Sequence, residues 1–292
     1  MKTMSRKLDL HIHTTVSDGT DTPREIPGLV RKAGIGLFSV TDHDAIKGGV
    51  QVLKVRREDD PCFITGAEFS CQDEEGKYHI LGYGYDPGAK AIRDLAAYGH
   101  SLRMKKVRAR LDFLHERFGF YFPEEALGKL LSQDNPGKPH IANLMVRLGY
   151  TSTKEEGIRR YIDQLRLENE YMRPEIAIAG ILGAGGIPVL AHPVFGSGDQ
   201  LILGEELDER VRKLMGFGLK GLECFYSGFT KDHREQSLAL ADRYDLYVTA
   251  GSDYHGTNKL VELGDNGLET VSAWPEGLIR FLEDVNIVGN FL

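Results

Sequence analysis

Short apolar runs alternate with longer amphipathic stretches over the first part of the chain, and the same alternation returns in its last third. Leu8-Asp9-Leu10-His11-Ile12-His13 reads as a first strand, because period two sets Leu8, Leu10 and Ile12 on one face and Asp9, His11 and His13 on the other. Thr22 as N-cap, Pro23 at the first helical position and Gly34 past the end predict a helix from Pro23 to Ala33. Strands follow at Leu37 to Thr41, at Cys62 to Phe69 and at Tyr78 to Tyr83. From Pro87 to Arg173 the pattern turns helical, with predicted helices at Leu102 to Phe118, Pro123 to Ser132, His140 to Leu148 and Thr153 to Leu167. Strands then resume at Ile187 to Ala191, Gly221 to Phe225 and Leu246 to Ala250. Repeated β-α units of this kind predict an α/β barrel. The barrel would comprise residues 1–86 and 174–292, and a helical insertion residues 87–173.

Polar residues collect where these strands end. The set is His11, His13, Asp18, His43, Glu68, His79, His192, Asp253 and His255. In an α/β barrel the loops after the strands converge on one mouth, so positions distant in sequence become neighbours. A single histidine at a strand end is more often only hydrogen-bonded. His-x-His on one strand face is stronger, since two imidazoles there can grip one ion. Glu68 stands among Phe63, Ile64, Ala67 and Phe69, where a carboxylate is costly to bury unless a cation or donor meets it. Asp44 reads as a turn cap, and His100, His115 and His233 as solvated or capping groups on helices. The donors are nitrogen and oxygen without thiolate, a choice suited to Mn²⁺, Fe²⁺ or Zn²⁺.

Composition narrows the picture further. The 292 residues carry a net charge of −7, which argues against a general nucleic-acid coat but leaves room for a local basic pocket. Cys62, Cys71 and Cys224 fall into no metal or disulfide spacing, so a reducing, cytoplasmic setting is expected. Met1 to Leu8 has no apolar stretch of the signal-peptide kind, and the apolar region Ile176 to Val194 is broken by glycines and Pro188, so no membrane span is expected. The basic run Arg103, Lys105, Lys106, Arg108 and Arg110 reads first as a solvated helix face.

Taken in order, His11-Ile12-His13, Thr41-Asp42-His43-Asp44, Glu68, His79, Ala191-His192-Pro193 and Gly251-Ser252-Asp253-Tyr254-His255-Gly256 resemble the motifs of the PHP (polymerase and histidinol phosphatase) family. The likeness is to its stand-alone bacterial phosphoesterases, among them a nucleoside 3′,5′-bisphosphate phosphatase and a 5′-to-3′ exoribonuclease. It implies a distorted (β/α)7, TIM-like barrel with a helical insertion and two to three divalent ions. By the same likeness His11, His13, Glu68 and Asp253 would hold one ion, and Glu68, His79 and His192 a second. Asp18, His43 and His255 would hold a third, forming a trinuclear centre. Activated hydroxide would attack the phosphorus, with Glu68 bridging and His43 or His255 assisting the leaving oxygen. Lys138-Pro139-His140 stands where those relatives carry Arg-Pro-His, so Lys138, His140, Arg173 and Ser227 are the expected substrate contacts.

The expected activity is therefore metal-dependent hydrolysis of phosphate monoesters of nucleotides or similar small metabolites. Exonuclease action on short RNA is the alternative. Hydrolysis of a non-phosphate bond, or a non-catalytic metal-binding scaffold, ranks below both, since no ligand position is eroded.

Overall fold

A computed structural model describes residues 7–167, 170–197, 200–289 and 291. Residues 1–6, on which part of the leader expectation rests, lie outside it. Seven strands form one sheet in chain order: β1 (Leu8–Ile12), β2 (Leu37–Val40), β3 (Cys62–Gln72), β4 (Lys77–Tyr83), β5 (Ile187–Leu190), β6 (Gly221–Tyr226) and β7 (Tyr247–Gly251). Between and after them come α1 (Ile26–Lys32), α2 (Lys47–Val55), α3 (Lys90–Phe118), α4 (Glu124–Leu131), α5 (Lys138–Arg147) and α6 (Lys154–Glu156). α7 (Pro174–Gly183), α8 (Gly204–Gly216), α9 (Lys231–Arg243) and α10 (Glu276–Asp284) complete the set. The sheet curls until its ends meet: Ile12 bridges Tyr254, and the His13 N–H donates to the Tyr254 carbonyl at 2.8 Å. This is the expected nearly closed, TIM-like barrel of seven strands. Gly251 allows the closure, because a Cβ there would collide with the Cβ of His11.

The strands are apolar because both of their faces are covered. Every residue of β1 is buried, Asp9 and His11 included. Leu8 and Leu10 join the main core with Ile64, Leu81, Val189 and Phe281, while Ile12 packs with Ile26, Val30, Phe38 and Phe63 beneath the first two helices. A side chain of this size contributes about 1.5–3 kcal/mol when fully buried, so the strands fix the barrel before any polar group is counted.

Two departures from the expected elements matter for the site. β3 does not stop near Glu68 but runs on to Gln72, because β4 pairs with it antiparallel from Gly66↔Tyr83 to Gln72↔Lys77. β4 is antiparallel to β5 as well, while the remaining pairs are parallel. Reversing β4 puts His79, near its start, at the end of the barrel where the parallel strands finish. The β3–β4 hairpin also projects beyond that end.

The other departure is α3, which begins at Lys90 and not at Leu102. Its first half buries Ile92, Leu95, Gly99 and Leu102 at spacings of three and four, and Ile92, Leu95 and Leu102 pack into the barrel core. From Val107 onward its apolar side joins a separate cluster with Leu114, Ile141, Met145 and Ile162. The helix ends at Gly119, whose φ of +69° suits a glycine C-cap. The stretch read as one helix from Thr153 to Leu167 is instead α6, a π-turn at Gly157–Tyr161 and a 3₁₀ turn at Ile162–Gln164. The glycine at 157 weakens the α-helix there, and the resulting turns aim Ile158 and Arg159 at the barrel mouth.

Candidate metal centre

Glu68 lies at the middle of the mouth. Its Oε1 is 2.9 Å from His79 Nδ1, 3.3 Å from His192 Nε2 and 3.4 Å from His11 Nε2. Its Oε2 is 2.9 Å from His43 Nδ1 and 3.3 Å from His13 Nε2. Asp253 Oδ1 is 3.2 Å from His13 Nε2, and Asp18 Oδ1 is 3.3 Å from His255 Nε2. Every histidine and carboxylate singled out as a ligand in the sequence therefore arrives at one place.

The donor atoms are short of partners in a way that fits cations. His43 Nδ1, His79 Nδ1, His192 Nδ1, Asp18 Oδ1 and Glu68 Oε2 are buried without a properly directed hydrogen bond, although several lie within 3 Å of one another. His11 Nε2 and His13 Nε2 face each other at 3.2 Å. Three overlapping groups bring their ligand atoms within 4.8 Å: His13, Asp18, His43 and His255; His11, His13 and Asp253; His43, Glu68 and His79. Buried polar atoms aimed at a common point, and not at each other, are what a bound ion would satisfy. Backbone strain gathers here too: His192 and Asp253 hold φ of +29° and +58°, a region that disfavours side chains with a Cβ.

A second layer of carboxylates orients the first. Glu223 Oε1 accepts from His11 Nδ1 at 2.9 Å, and its Oε2 accepts from the His192 N–H at 2.9 Å. Asp9 accepts from the N–H and hydroxyl of Ser252 and from the Gly264 N–H. Asp42 accepts from Thr14 and Ser17 and so ties the loop after β1 to the loop after β2. Glu223 was not singled out in the sequence. The signal was present, since a carboxylate between Leu222 and Cys224 in a buried strand poses the same question as Glu68.

Burial and the neighbouring carboxylates pull the histidines of the site in opposite directions. Burial works against a charged His11, but Glu223, Glu68 and Asp253 outweigh it and raise its pKa well above the usual value. His13 is raised too, with Asp253 and Glu68 overcoming burial and its neighbour His43. Burial dominates at His79 and lowers it to about 4. A divalent ion would therefore compete with protons more strongly at His11 and His13 than at His79. Calorimetry of metal binding in buffers of different ionisation enthalpy should show net proton release at pH 7. The release should shrink, and affinity rise, as pH climbs through the raised histidine values; no release at pH 6 and 7 would contradict this charge state.

The basic run on α3 departs from the solvated reading. Lys105 and Arg108 are exposed, but Arg103, Lys106 and Arg110 are buried. Those three line a cavity of about 430 Å³ together with Asp18, His43, His79, Lys77, Lys138 and Tyr171. Asp44, read as a turn cap, pairs with Arg103 at 2.9 Å and fastens α3 to the mouth. Lys138 lines the cavity and is 2.7 Å from Asp163. His140 accepts from the Gly137 N–H through Nδ1 and caps α5, close enough to Asp18 to feel its charge. Arg173 clasps Glu74 and Glu175 and does not line the cavity, and neither does Ser227. Tyr226, one residue before Ser227, does reach the centre: its hydroxyl donates to Asp253 at 2.9 Å. His233 caps α9, His115 contacts the Phe120 carbonyl and His100 contacts Asn135, all outside the candidate ligand cluster.

Comparison with known proteins agrees with this geometry. The sequence profile described as PHP domain matches residues 9–172. A 5′-3′ exoribonuclease of Haemophilus influenzae is 30% identical over 90% of this chain and 95% of its own length. A 3′,5′-nucleoside bisphosphate phosphatase of Chromobacterium violaceum is 29% identical over 85% of this chain and 87% of its own. A solved structure from Bifidobacterium adolescentis, described as a candidate metal-dependent phosphoesterase, superposes with a TM-score of 0.77 at 29% identity, covering 96% of each chain. Among the described residues, no helix is long and apolar enough to cross a membrane.

Proposed function

The chain belongs to the PHP family and is a phosphoesterase, and from that premise we propose that it hydrolyses phosphate monoesters of nucleotides or similar small phosphorylated metabolites. The observation that carries this reading is the convergence of His11, His13, Asp18, His43, Glu68, His79, His192, Asp253 and His255 beside a cavity walled by buried cations. Two to three divalent ions, of manganese, iron or zinc, would acidify a water and offset charge on the phosphoryl oxygens when bound. In the proposed assignment Glu68 is shared between ion sites, since both its oxygens face histidines. His43 Nε2 and His255 Nε2 flank Asp18, and whichever of them is not committed to an ion would assist proton transfer to the leaving oxygen. Lys138 and His140 remain proposed substrate contacts, and the division at residues 87–173 remains a proposed functional division. The three buried free thiols fit a reducing cytoplasm.

Cleavage of short RNA is the second reading. It is favoured by a further cavity of about 430 Å³ that shares Lys77, Arg110, Lys138, Asp163 and Tyr171 with the first and extends to Arg166. Mn²⁺-loaded protein should release phosphate from mononucleotides or 3′,5′-bisphosphates faster than from sugar phosphates. Phosphate release from none of them would overturn the first reading. Turnover of 5′-phosphorylated RNA that falls steeply with salt would support the second.

A further inference from the structure

We propose that Lys259 and Tyr226 are positioning residues that occupy one oxygen of Asp253, leave the other to the histidines, and so set which divalent ion the centre prefers. The proposal rests on the reading of the mouth as a metal centre and deepens it. Asp253 follows the last barrel strand at a φ of +58° and is buried. Its two oxygens have different surroundings. Oδ1 faces the cluster, 3.2 Å from His13 Nε2, 3.4 Å from His11 Nε2 and 3.6 Å from His255 Nδ1. Oδ2 is taken by other donors: it accepts from the Lys259 ammonium at 2.5 Å and from the Tyr226 hydroxyl at 2.9 Å.

Both donors are themselves held. Tyr226 ends β6, and its ring centre lies 5.2 Å from that of His192, 5.4 Å from that of Phe229 and 6.1 Å from that of Phe195. The Lys259 ammonium also donates to the Tyr226 hydroxyl at 3.0 Å and stands 5.0 Å from the centre of its ring. Lys259 follows a 3₁₀ turn, Gly256–Asn258, that is fastened to its surroundings. The Thr257 N–H donates to the Thr20 hydroxyl at 2.9 Å, and the Asn258 amide donates to the Asp18 carbonyl at 2.8 Å. Lys154 of α6 donates to the Asn258 carbonyl. Neither Lys259 nor Tyr226 lines the cavity that opens on His43 and His79, so they act through Asp253 and not on substrate.

A carboxylate can give an ion one oxygen or both. To give both, Asp253 would have to turn Oδ2 off an ammonium, and charge-assisted hydrogen bonds are about twice as strong as neutral ones. Lys259 and Tyr226 therefore commit Asp253 to ligation through Oδ1 alone. Among donors that are mostly histidine nitrogens, a single oxygen suits four-coordinate Zn²⁺, whereas chelation by both oxygens suits six-coordinate Mn²⁺ better.

The test measures the affinity of metal-free protein for Zn²⁺ and for Mn²⁺, each by chelator competition for the first ion bound, in wild type, Lys259→Met, Lys259→Arg and Tyr226→Phe. Lys259→Met should lower the Zn²⁺-to-Mn²⁺ affinity ratio about 10-fold, the low end of what losing a partner behind a ligand does to metal binding. Tyr226→Phe, which loses a neutral donor, should lower the ratio less, and Lys259→Arg, which keeps the charge, should keep the native ratio. Tyr226→Phe retains the ring, so it carries the test where Lys259→Met fails to fold. An unchanged ratio in every folded variant overturns the proposal. So does a parallel loss of affinity for both ions, which is what a merely structural role would give. Wild type that binds neither ion brings down the metal reading of the mouth and the proposal with it, whereas native binding with an unchanged ratio brings down the proposal alone.

Discussion

Glu68→Gln should lose bound metal and about three orders of magnitude in kcat/KM, the equivalent of the several kcal/mol that metal-held charge supplies to a phosphoryl transition state. Glutamine keeps the shape of the side chain and removes its charge. In the native protein both carboxylate oxygens face histidines: Oε1 faces His11, His79 and His192, and Oε2 faces His13 and His43. An amide can offer one oxygen to that ring and must turn an NH₂ toward the rest. Burial alone would raise the Glu68 pKa, but His79, His43 and His11 hold it well below the usual carboxylate range. A carboxyl depressed in the folded state stabilises it at pH values above its unfolded pKa, and the benefit is lost as pH falls through the folded value. Metal-free Glu68→Gln should therefore melt below metal-free wild type at neutral pH, with the gap closing on strong acidification. Metal content by elemental analysis, turnover and melting temperature read the three effects separately. Full metal occupancy with native turnover would remove Glu68 from the centre.

The sequence exposed the ligands more readily than what supports them. His11, His13, His192 and Asp253 could be found because strand ends in a barrel converge, and an apolar strand that stops at a polar group is visible in one dimension. His79 obeyed that rule only because β4 runs backwards, which a strand pattern cannot announce. The length of β3 was missed for the same reason, since the ladder beyond Glu68 exists only where β4 pairs with it. The face of α3 was harder still. Arg103, Lys106 and Arg110 cannot be told from Lys105 and Arg108 by composition, and their burial depends on a hairpin and on Tyr171, which arrive from elsewhere in the chain. Arg173 shows the converse. A basic residue at the insertion's edge looks available to substrate until Glu74 and Glu175 are seen to hold it.

Glu223→Gln should weaken metal binding by about 10–100-fold, the range found when a carboxylate behind a ligating histidine is lost. Glu223 touches no other carboxylate of the cluster and would not itself hold an ion. It accepts two hydrogen bonds at once, from His11 Nδ1 and from the His192 N–H. Holding the proton on Nδ1 leaves His11 Nε2 as the lone pair directed toward His13, Asp253 and Glu68. Glutamine breaks one of these contacts whichever way it turns. With its oxygen on His11, its NH₂ meets the His192 N–H, donor against donor, at a residue whose φ of +29° already needs support. With its oxygen on His192, its NH₂ faces His11 Nδ1, draws the proton to Nε2 and blocks the lone pair an ion needs. The loss of charge also lowers the His11 pKa, since Glu223 is the largest of the groups that raise it against burial. Proton release on metal binding should therefore shrink in the variant even as affinity falls. A merely structural carboxylate would lower the melting temperature and leave that proton count unchanged. Calorimetry in paired buffers separates the two, and an unchanged metal affinity with a native proton count would show that His11 does not depend on Glu223.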